Sequence, residues 1–535
     1  MNYLRSKLFG AKGLVALFST FILLISACSK DSNSNTAKEE TLVKINMSGV
    51  GTAVDNNSGV SPKSSTQRTA TDNPKTTIIP FNDEYSIVAT VTPSNNKTSN
   101  RTSSATSNGT KAAVVEDVQS LKPGTNYTIA VYSSTGAYVT HQSFTYTTGQ
   151  TPQFSLPPAS YRFIAVASGN NTLPTINFNQ PLAAINWDMT DAAMDVMYFN
   201  QILNVQQGAT NVLDVVLKHK FTEVEVTVDS KAIGTAQVAS GTVTSSYPQA
   251  NFALEGGTMT YNGAASGSKA INFPTNTGTL IKSTPVFLFS KNDIGNISVP
   301  VTIAGTTKPV STSVQLALGV RYEITFRIQR NGINIGGEIF SPGNLLYDHT
   351  TGEYSFAPST GNRGDYFFPN YVKAKKMNVG NLAPNTTDNG PTGDPCKLVY
   401  PQDYWRLPTE AEATTLINSI TPPGGGGNWT PFPFQNNSHV DNFDGTINTD
   451  LGIFYGIQQN PGNPAREQYL FLAFGGYYEN TDVTNTVGQQ GRLLLTATAG
   501  GHTTIQSGGS QGTRGYTQLS PISPNAAVQV RCLKN

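Results

Sequence analysis

Apolar and polar residues alternate in short runs along most of this chain, which is the pattern of β-strands with one buried face. The run LVKINMSGV (42–50) places Val43, Ile45 and Met47 on one face, with polar residues between them, and predicts an isolated strand. Similar runs predict further strands at 85–92, 126–133, 161–168, 221–230, 284–290, 322–329, 468–478 and 526–535. The chain is therefore predicted to be mainly β.

Two of these strands follow the same local pattern, L-x-x-G-x-x-Y-x-I, at 121–129 and 316–324. Such a repeat predicts two related, tandem antiparallel β-sandwiches of the transthyretin or immunoglobulin type. We expect the first sandwich at 69–187 and the second at 188–335. The remaining residues, 336–535, mix strands with Gly- and Pro-rich loops and predict a third, α+β domain.

Composition agrees with three domains and excludes one class of partner. The 535 residues are enough for roughly three domains of ordinary size. Only 13% of the residues are charged, and the formal net charge is +1. Because no strong positive field would attract polyanions, nucleic acid is not expected as a partner.

The first residues have the pattern of an export signal. Basic residues precede an apolar run at 14–25, which is too short for a comfortable membrane span and suits the core of a signal peptide. The sequence ISAC that follows resembles a bacterial lipobox. This resemblance implies that residues 1–27 are removed and that Cys28 carries a diacylglyceryl group, whose acyl chains would hold the precursor on the outer membrane.

The other two cysteines are Cys396 and Cys532. An exported chain enters an oxidising compartment, where a lone pair of thiols forms a disulfide more often than a metal site, so we predict a bond between them. The five histidines are scattered, and none has a ligand partner at i+3 or i+4. The segment DNFDGTINTD (441–450) holds carboxylates but lacks the EF-hand spacing. No metal site or cofactor is predicted, and calcium binding by this segment stays open as an alternative.

The stretch YWRLPTEAEATTLI (404–417) places two glutamates beside an arginine, which fits either an acid/base pair or the start of a helix. Thr409 and Glu412 have the T-x-x-E spacing of a capping box. Glu410 would face the positive end of the helix dipole. We therefore predict that a helix starts here, with Trp405 in the core just before it.

The lipobox is followed by a lone strand and then by two predicted sandwiches. The stretch LPPASYRFIAVAS closes the first sandwich, and DVMYFNQILNV opens the second. This order, over residues 28–333, resembles the fimbrillin family, the lipoprotein pilins of Bacteroidales. The resemblance implies that an arginine-specific protease removes the lipidated N-terminus with its first strand, and that a strand of another fimbrial subunit fills the vacated groove. Arg68 is the matching site, so residues 28–68 would be the removable segment. A cut at Arg101 would also separate the strand at 85–92 from the rest of the first sandwich.

The last third of the chain resembles another group of proteins. The stretches GNLLYDHTTGEYSFA and WRLPTEAE and the terminal VRC are similar to C-type-lectin-like domains on Bacteroidetes and Fibrobacter surface proteins. Formylglycine-generating enzymes share that fold, but they use a pair of reactive cysteines and usually have Trp where Ala413 stands. The resemblance therefore implies a binding domain and not an enzyme. Trp429, Tyr477 and Tyr478 are candidates to contact a ligand, either a glycan or a host or bacterial surface protein, and equally candidates for core or loop positions.

We expect an exported fimbrial subunit, at a tip or accessory position, that accepts a strand and presents a lectin-like adhesive domain. Because its last strand, VQVRCLKN, alternates like a buried strand and contains Cys532, we expect that it donates none. The alternative is a lipid-anchored surface glycan-binding protein that does not polymerise, and cleavage at Arg68 separates the two. A formylglycine-type oxidase is disfavoured because spare cysteines are lacking. The precursor is expected at the outer membrane, and the mature form in a fimbrium on the cell surface.

Overall fold

The computed structural model describes residues 40–51, 75–93, 118–169, 175–190, 195–376, 384–419, 434–435, 439–440, 447–448, 451–456, 468–479, 486–510 and 515–535. Strands dominate these residues, which confirms the mainly β fold class. The predicted signal peptide, Cys28, Arg68, Arg101, Trp429 and most of the segment 441–450 lie outside the described residues.

Helices are few in this part of the chain. They are α1 (Thr386–Asn389), α2 (Glu410–Asn418) and two 3-10 turns, Leu182–Ala184 and Pro395–Leu398. Within the described residues, no helix has the length and apolar content needed to cross a bilayer.

The strands before residue 220 include those that the alternation predicts at 42–50, 85–92, 126–133 and 161–168. They are β1 (Thr41–Gly51), β2 (Lys75–Pro80), β3 (Tyr85–Pro93), β4 (Val118–Gln119), β5 (Asn126–Ser133), β6 (Tyr138–Thr145), β7 (Gln153–Leu156), β8 (Ser160–Ser168), β9 (Asn186–Met189), β10 (Val196–Asn204) and β11 (Asn211–His219).

Eight of these strands form one bent sheet, which we call the N-terminal β-unit. Its order is β4-β1-β11-β10-β8-β5-β6, and β7 also pairs with β1. The bend lies between β10 and β11, which share only the pairs Met197↔His219 and Tyr198↔Lys218. Inward side chains of β1, β5, β7, β8 and β11 meet in one apolar core. The two halves of the sheet therefore face each other across that core.

The next stretch of the chain contributes twelve strands to the described structure. They are β12 (Thr222–Asp229), β13 (Ala236–Val238), β14 (Gly241–Ser246), β15 (Gln249–Ala253), β16 (Thr258–Asn262), β17 (Gly267–Ile271), β18 (Thr277–Gly278), β19 (Leu280–Lys282), β20 (Val286–Leu288), β21 (Asp293–Ile303), β22 (Thr306–Leu316) and β23 (Arg321–Arg330).

Two sheets enclose a second core, and we call them the middle β-unit. One has the order β19-β12-β23-β3-β2, with β20 also on β12; the other has the order β17-β14-β21-β13-β18, with β22 on β21. Valines, isoleucines and leucines from both sheets fill the space between them. A smaller sheet, β16-β15-β9, shares a third core with the opposite face of β5 and β8 and so joins the two units.

The sequence predicts that the strand at 85–92 lies in the first sandwich. This prediction is wrong. Strand β3 makes nine consecutive antiparallel pairs with β23, from Tyr85↔Arg330 to Pro93↔Tyr322, and therefore belongs to the middle β-unit. Conversely, β10 and β11 lie beyond residue 188 but belong to the N-terminal β-unit. The predicted boundaries 69–187 and 188–335 do not follow the sheets, because alternation shows which face of a strand is buried but not which strand covers its edge.

The remaining strands form the C-terminal unit. They are β24 (Ile333–Ile335), β25 (Glu338–Phe340), β26 (Leu345–Tyr347), β27 (Tyr354–Phe356), β28 (Tyr366–Phe367), β29 (Trp405–Arg406), β30 (Phe434–Gln435), β31 (His439–Val440), β32 (Ile447–Asn448), β33 (Leu451–Tyr455), β34 (Leu470–Ala473), β35 (Tyr478–Glu479), β36 (Gln490–Leu494), β37 (Thr503–Gly508), β38 (Tyr516–Pro521), β39 (Ala526–Gln529) and β40 (Leu533–Lys534).

Short sheets and α2 build this last unit. Its main sheets have the orders β28-β39-β36-β37-β38 and β24-β25-β40-β29. Buried Ala413 and Leu416 of α2 pack on the same core as β24, β33 and β36. The unit combines short sheets with α1 and α2, and its assignment as an α+β, C-type-lectin-like domain stays a prediction.

Candidate functional site

Strand β1 lies between two sets of neighbours in the N-terminal β-unit. On one side it runs parallel to β11, with Val43 opposite Asn211 and Ile45 opposite Leu213. On that stretch its residues alternate between buried and exposed, as the sequence predicts, and Val43 and Ile45 are completely inaccessible to solvent. Each fully buried aliphatic side chain of this kind stabilises the pairing by about 1.5–3 kcal/mol. Strand β1 is therefore an integral part of the core.

On its other side β1 pairs antiparallel with two short strands. Thr41 to Lys44 face β7, and Val50 and Gly51 face β4. Between them, the amide of Ile45 donates a hydrogen bond of 2.8 Å to the carbonyl of Pro152. Within the described residues, β4 and β7 have no strand partner other than β1. Removing β1 would thus leave an apolar slot and unpaired backbone groups on β11, β4 and β7.

A β-bulge interrupts β1 near its end, between Met47 and Gly49. Gly49 has φ +136°, and a Cβ at this position would overlap the carbonyl oxygen of Gln119 on β4. Only glycine combines that backbone conformation with so close an approach. The glycine inside the alternating run MSGVG is the signal that could have predicted this bulge from sequence.

A cavity of about 300 Å³ opens beside Val50, where β1 ends. His219 at the end of β11 lines it and lies 2.7 Å from the carboxylate of Asp195. Burial alone would lower the pKa of His219, but the charge of Asp195 and its hydrogen bond outweigh burial and raise that pKa. From the middle β-unit, Arg321 borders the same space and pairs with Glu225 at 2.6 Å. Sequence reasoning missed this charged cluster because its members come from separate strands.

The same arrangement recurs in the middle β-unit around β12. Strand β12 runs parallel to β23, with Val226 opposite Ile324, and pairs antiparallel with the short strands β19 and β20. Its inward residues are also completely buried. Strand β12 follows β11 after only two residues, whereas β1 connects onward through residues 52–74 to β2 in the other unit. Of the two strands, β1 is the one that a single cut near Arg68 would detach.

The WRLPTEAE stretch forms a helix start, as predicted. The hydroxyl of Thr409 accepts a hydrogen bond from the amide of Glu412, and the Glu412 carboxylate accepts from the amide of Thr409. The guanidinium of Arg406 binds both oxygens of Glu412, at 2.8 and 2.5 Å. This ion pair lowers the pKa of Glu412 to about 2. The Glu412 carboxylate is therefore ionised at neutral pH and has no proton to donate. Because its oxygens already accept hydrogen bonds from Arg406 and Thr409, an acid/base role is disfavoured.

The C-terminal strand is fastened at several points. Cys532 is bonded to Cys396, the pairing expected from the sequence. Arg531, almost completely buried, donates hydrogen bonds to the side chain of Asn344 and to the carbonyls of Ser341, Thr360 and Phe471, at 2.9–3.2 Å. A buried guanidinium with this many partners holds its backbone in one place. Residues 526–535 are therefore held within the C-terminal unit by strand pairing, side-chain hydrogen bonds and a disulfide.

The two predicted ligand-binding tyrosines that the structure describes occupy different environments. Tyr478 is buried, and its ring stacks edge-to-face with that of Tyr366, so it occupies the core position that the sequence allows as the alternative to a ligand contact. Tyr477 is partly exposed, and the guanidinium of Arg492 lies 4.8 Å from its ring centre. Within the described residues, Tyr477 alone of the predicted ligand-contacting residues keeps an accessible ring.

A separate cavity of about 180 Å³ lies between the middle β-unit and the C-terminal unit. Arg327 and the aromatic rings of Tyr354, Phe356 and Tyr400 line it. The guanidinium of Arg327 lies 5.0 Å from the Tyr400 ring centre, and the Tyr400 hydroxyl contacts Thr76 of β2 at 3.0 Å. The C-terminal unit therefore touches the β2–β3 hairpin that completes the middle β-unit.

Comparison with known proteins bears on the first two units. A family model described as fimbrillin-like matches residues 121–340. This match begins after β4 and ends with β25, so it includes both parallel partners, β11 and β23, but not β1. No curated protein matches the chain.

Three solved structures of Bacteroides proteins are similar to parts of this chain. A candidate cell adhesion protein of Bacteroides fragilis is 10% identical and superposes with a TM-score of 0.31, covering 43% of this chain and 93% of that one. A second, from Bacteroides eggerthii, is 13% identical with a TM-score of 0.27, covering 55% and 88%. A third, from Bacteroides uniformis, is 10% identical with a TM-score of 0.27, covering 39% and 92%. Superpositions this partial carry no argument about function.

Proposed function

We propose that this chain is a surface-exposed fimbrial subunit that exchanges β1 for a strand of another subunit and presents its C-terminal unit as an adhesive domain. The observation that carries the proposal is the place of β1. It fills the core of the N-terminal β-unit, yet its covalent connection to the rest of the chain runs only through residues 52–74. A strand so placed can be replaced by another strand without unravelling the fold.

The proposed cleavage at Arg68 follows from this topology. A cut there separates β1 from every other strand and leaves β2 and β3 joined to the chain. A cut at Arg101 would also detach β3, which forms nine pairs with β23. Cleavage at Arg68 therefore opens one groove and keeps the middle β-unit intact.

The fastened C-terminus supports a terminal position in the fimbrium. A subunit in the middle of a filament must both accept and donate a strand. Here the last strands are paired on both sides, and Cys532 is bonded to Cys396. The chain would accept a strand at its N-terminal β-unit and end the filament, with residues 340–535 facing outward toward a glycan or surface-protein ligand.

Lipid attachment at Cys28 belongs to the precursor in this proposal. The acyl chains would hold it at the outer membrane until the cut at Arg68 releases residues 69–535. Labelling with radioactive palmitate tests this step. The precursor should be labelled and the Cys28→Ala variant should not, and undiminished labelling of the variant would remove the lipoprotein premise.

Fractionation of two arginine variants tests the cleavage. The native chain should appear in sheared surface filaments, whereas Arg68→Ala should stay with the membrane fraction at full length. Arg101→Ala is the matched control and should reach the filaments normally. Entry of Arg68→Ala into filaments would refute the proposed site, and a native chain that stays uncut on the membrane would favour the lipid-anchored glycan-binding alternative.

Electron microscopy with gold-labelled antibodies against residues 340–535 tests the terminal position. Single labels at filament ends are expected, because the chain would accept a strand and donate none. Labels spread evenly along filaments would contradict a terminal position.

A further inference from the structure

The cavity beside Val50 shows that β1 fills its groove incompletely. Val50 is the last inward-facing aliphatic residue of β1, and about 300 Å³ of space lies next to it. Leu121 and Met197 provide apolar wall on one side. Empty space next to an apolar side chain forfeits packing contacts that a larger side chain would make. Strand β1 thus binds less tightly at this end than the groove allows.

The opposite wall of the cavity is polar. His219 and Asp195 form one pair there, and Arg321 forms ion pairs with Glu223 and Glu225. A polar tip placed against these groups leaves them with a polar neighbour, whereas a wholly apolar side chain would only remove them from water. The cavity therefore suits a side chain with an apolar stem and a polar tip.

Gly49 sets a second requirement at the same end of the groove. Because its φ is +136° and a Cβ would overlap the carbonyl oxygen of Gln119, a strand in this register needs glycine immediately before the cavity residue. The position that requires glycine directly precedes the position whose side chain borders the cavity. Together they define a short pattern, glycine followed by a large amphipathic residue.

The cavity also lies at the end of β1 that cleavage would free. Strand β1 runs from Thr41 to Gly51, and the chain continues from Gly51 toward Arg68. After a cut at Arg68, fraying of β1 would begin at Val50 and Gly51, the end of the strand that leads along the chain to the cut. An incoming strand would find the cavity at the point where β1 is first displaced.

We propose that the cavity lined by Leu121, Met197, His219 and Arg321 is the subsite that selects the incoming strand, and that it accepts a strand with glycine at the position of Gly49 and a large amphipathic residue, such as tyrosine, at the position of Val50. This inference rests on the proposed strand exchange and names the chemistry of the partner. Better filling of the cavity gives the incoming strand its advantage over β1.

Competition by synthetic peptides tests the subsite. The full chain, with a site-specific protease sequence inserted after Arg68, is cut, and peptides with the sequence of residues 40–52 compete with the retained N-terminal segment. Displacement of that segment is measured by native mass spectrometry. The Val50→Tyr peptide should displace it at about one tenth of the concentration that the native peptide needs, which corresponds to about 1.4 kcal/mol. The Val50→Phe peptide should gain less, because it lacks the polar tip.

Two further peptides control for position and backbone. Leu42→Tyr adds the same ring on the outer face of β1, where Leu42 is 44% exposed, and should behave like the native peptide. The Gly49→Ala peptide should displace the segment only at a concentration at least about ten times higher than the native peptide needs. A peptide with both Gly49→Ala and Val50→Tyr should not regain the native potency. Equal potency of the Val50→Tyr and native peptides, an equal gain from Leu42→Tyr, or a failure of every peptide to displace the segment would overturn the subsite.

This assay separates the subsite from the proposed function. If filament-derived protein is cut at Arg68 but the Val50→Tyr peptide shows no advantage, the strand exchange stands and the subsite is wrong. If the peptide shows its advantage but cells leave Arg68 uncut, the groove selects as inferred and the fimbrial role is wrong.

Discussion

Strands β1 and β12 occupy the same place in two different units, yet a single cut in the chain at Arg68 would detach only β1. Each runs parallel to the last strand of its unit, β11 or β23, and each pairs antiparallel with two short strands. Their inward side chains, such as Ile45 and Val226, are equally buried. The difference is covalent: two residues separate β11 from β12, whereas 23 residues separate β1 from β2, the next described strand, which lies in the other unit. Packing determines where a strand binds, and chain connection determines whether it can be exchanged.

The largest expected effect comes from placing a charge in both strands. Ile45→Asp and Val226→Asp each put a carboxylate into a completely buried position and should cost about 5 kcal/mol or more. Hydrogen exchange followed by mass spectrometry should show loss of protection in β11 for Ile45→Asp and in β23 for Val226→Asp.

Rescue in trans then separates the two strands. A peptide of residues 40–52 should restore the protection of β11 in Ile45→Asp, because the defective β1 can swing out of the groove. A peptide of residues 222–229 should not rescue Val226→Asp, because its neighbours hold the defective strand in place. Rescue of both variants, or of neither, would remove the distinction between β1 and β12.

The disulfide extends the comparison to the other end of the chain. Cys396 and Cys532 are separated by 136 residues, and closing a loop of this length stabilises the folded state by at most about 4–5 kcal/mol. Reduction, or the Cys532→Ala variant, should lower the denaturation midpoint of the C-terminal unit and leave the protection of β1 and β11 unchanged. Two free thiols in the folded, non-reduced protein would refute the bond.

The helix cap of α2 provides a smaller effect, confined to the C-terminal unit. Thr409→Ala removes the capping hydroxyl and should cost about 1 kcal/mol. Because Arg406 lowers the pKa of Glu412 from its ordinary 4.5 to about 2, this carboxylate contributes stability above pH 4.5 that is lost as the pH falls toward 2. Glu412→Gln should reduce this acid sensitivity, as measured by urea denaturation between pH 2 and 6, and an unchanged pH profile would contradict the ion pair.

The smallest effect is expected where β11 and β12 meet. The charge of Asp195 and its hydrogen bond raise the pKa of His219 above its ordinary 6.5 despite burial, with Glu223 and Arg321 as further charged neighbours. A raised pKa means that protonation stabilises the folded state below pH 6.5 and that this contribution disappears as the pH rises through the folded-state pKa. Protection at this corner should therefore be greater at pH 5.5 than at pH 8. The His219→Gln variant should show a smaller difference in protection between pH 5.5 and pH 8. A larger difference in this variant would contradict the raised pKa of His219.

The sequence predicts single strands well and their partners poorly. The alternation of Val43, Ile45 and Met47 identifies β1 and its buried face, and the T-x-x-E spacing identifies the start of α2. Strand β3 was misplaced because its pairing with β23 spans more than 200 residues, over which alternation carries no information about partners. The burial of Tyr478 could not be predicted either, since an aromatic ring near a loop suits a core and a binding surface equally well.

The candidate groove was only partly predictable for the same reason. Resemblance to fimbrillins implies a removable first strand, but the parallel partner β11 and the flanking strands β4 and β7 appear only in three dimensions. Gly49 carries a local signal, because a glycine within an alternating run indicates a bulge. The cluster of His219, Asp195 and Arg321 carries none, because its members come from separate parts of the chain.

Native mass spectrometry of the protein recovered from surface filaments tests the central claim, that β1 is the exchangeable strand, most directly. We expect a chain that begins at Thr69, lacks residues 28–68 and carries one strand of another subunit in the N-terminal β-unit. A chain that retains residues 28–68, whether by an uncut bond or by pairing after cleavage, would contradict it.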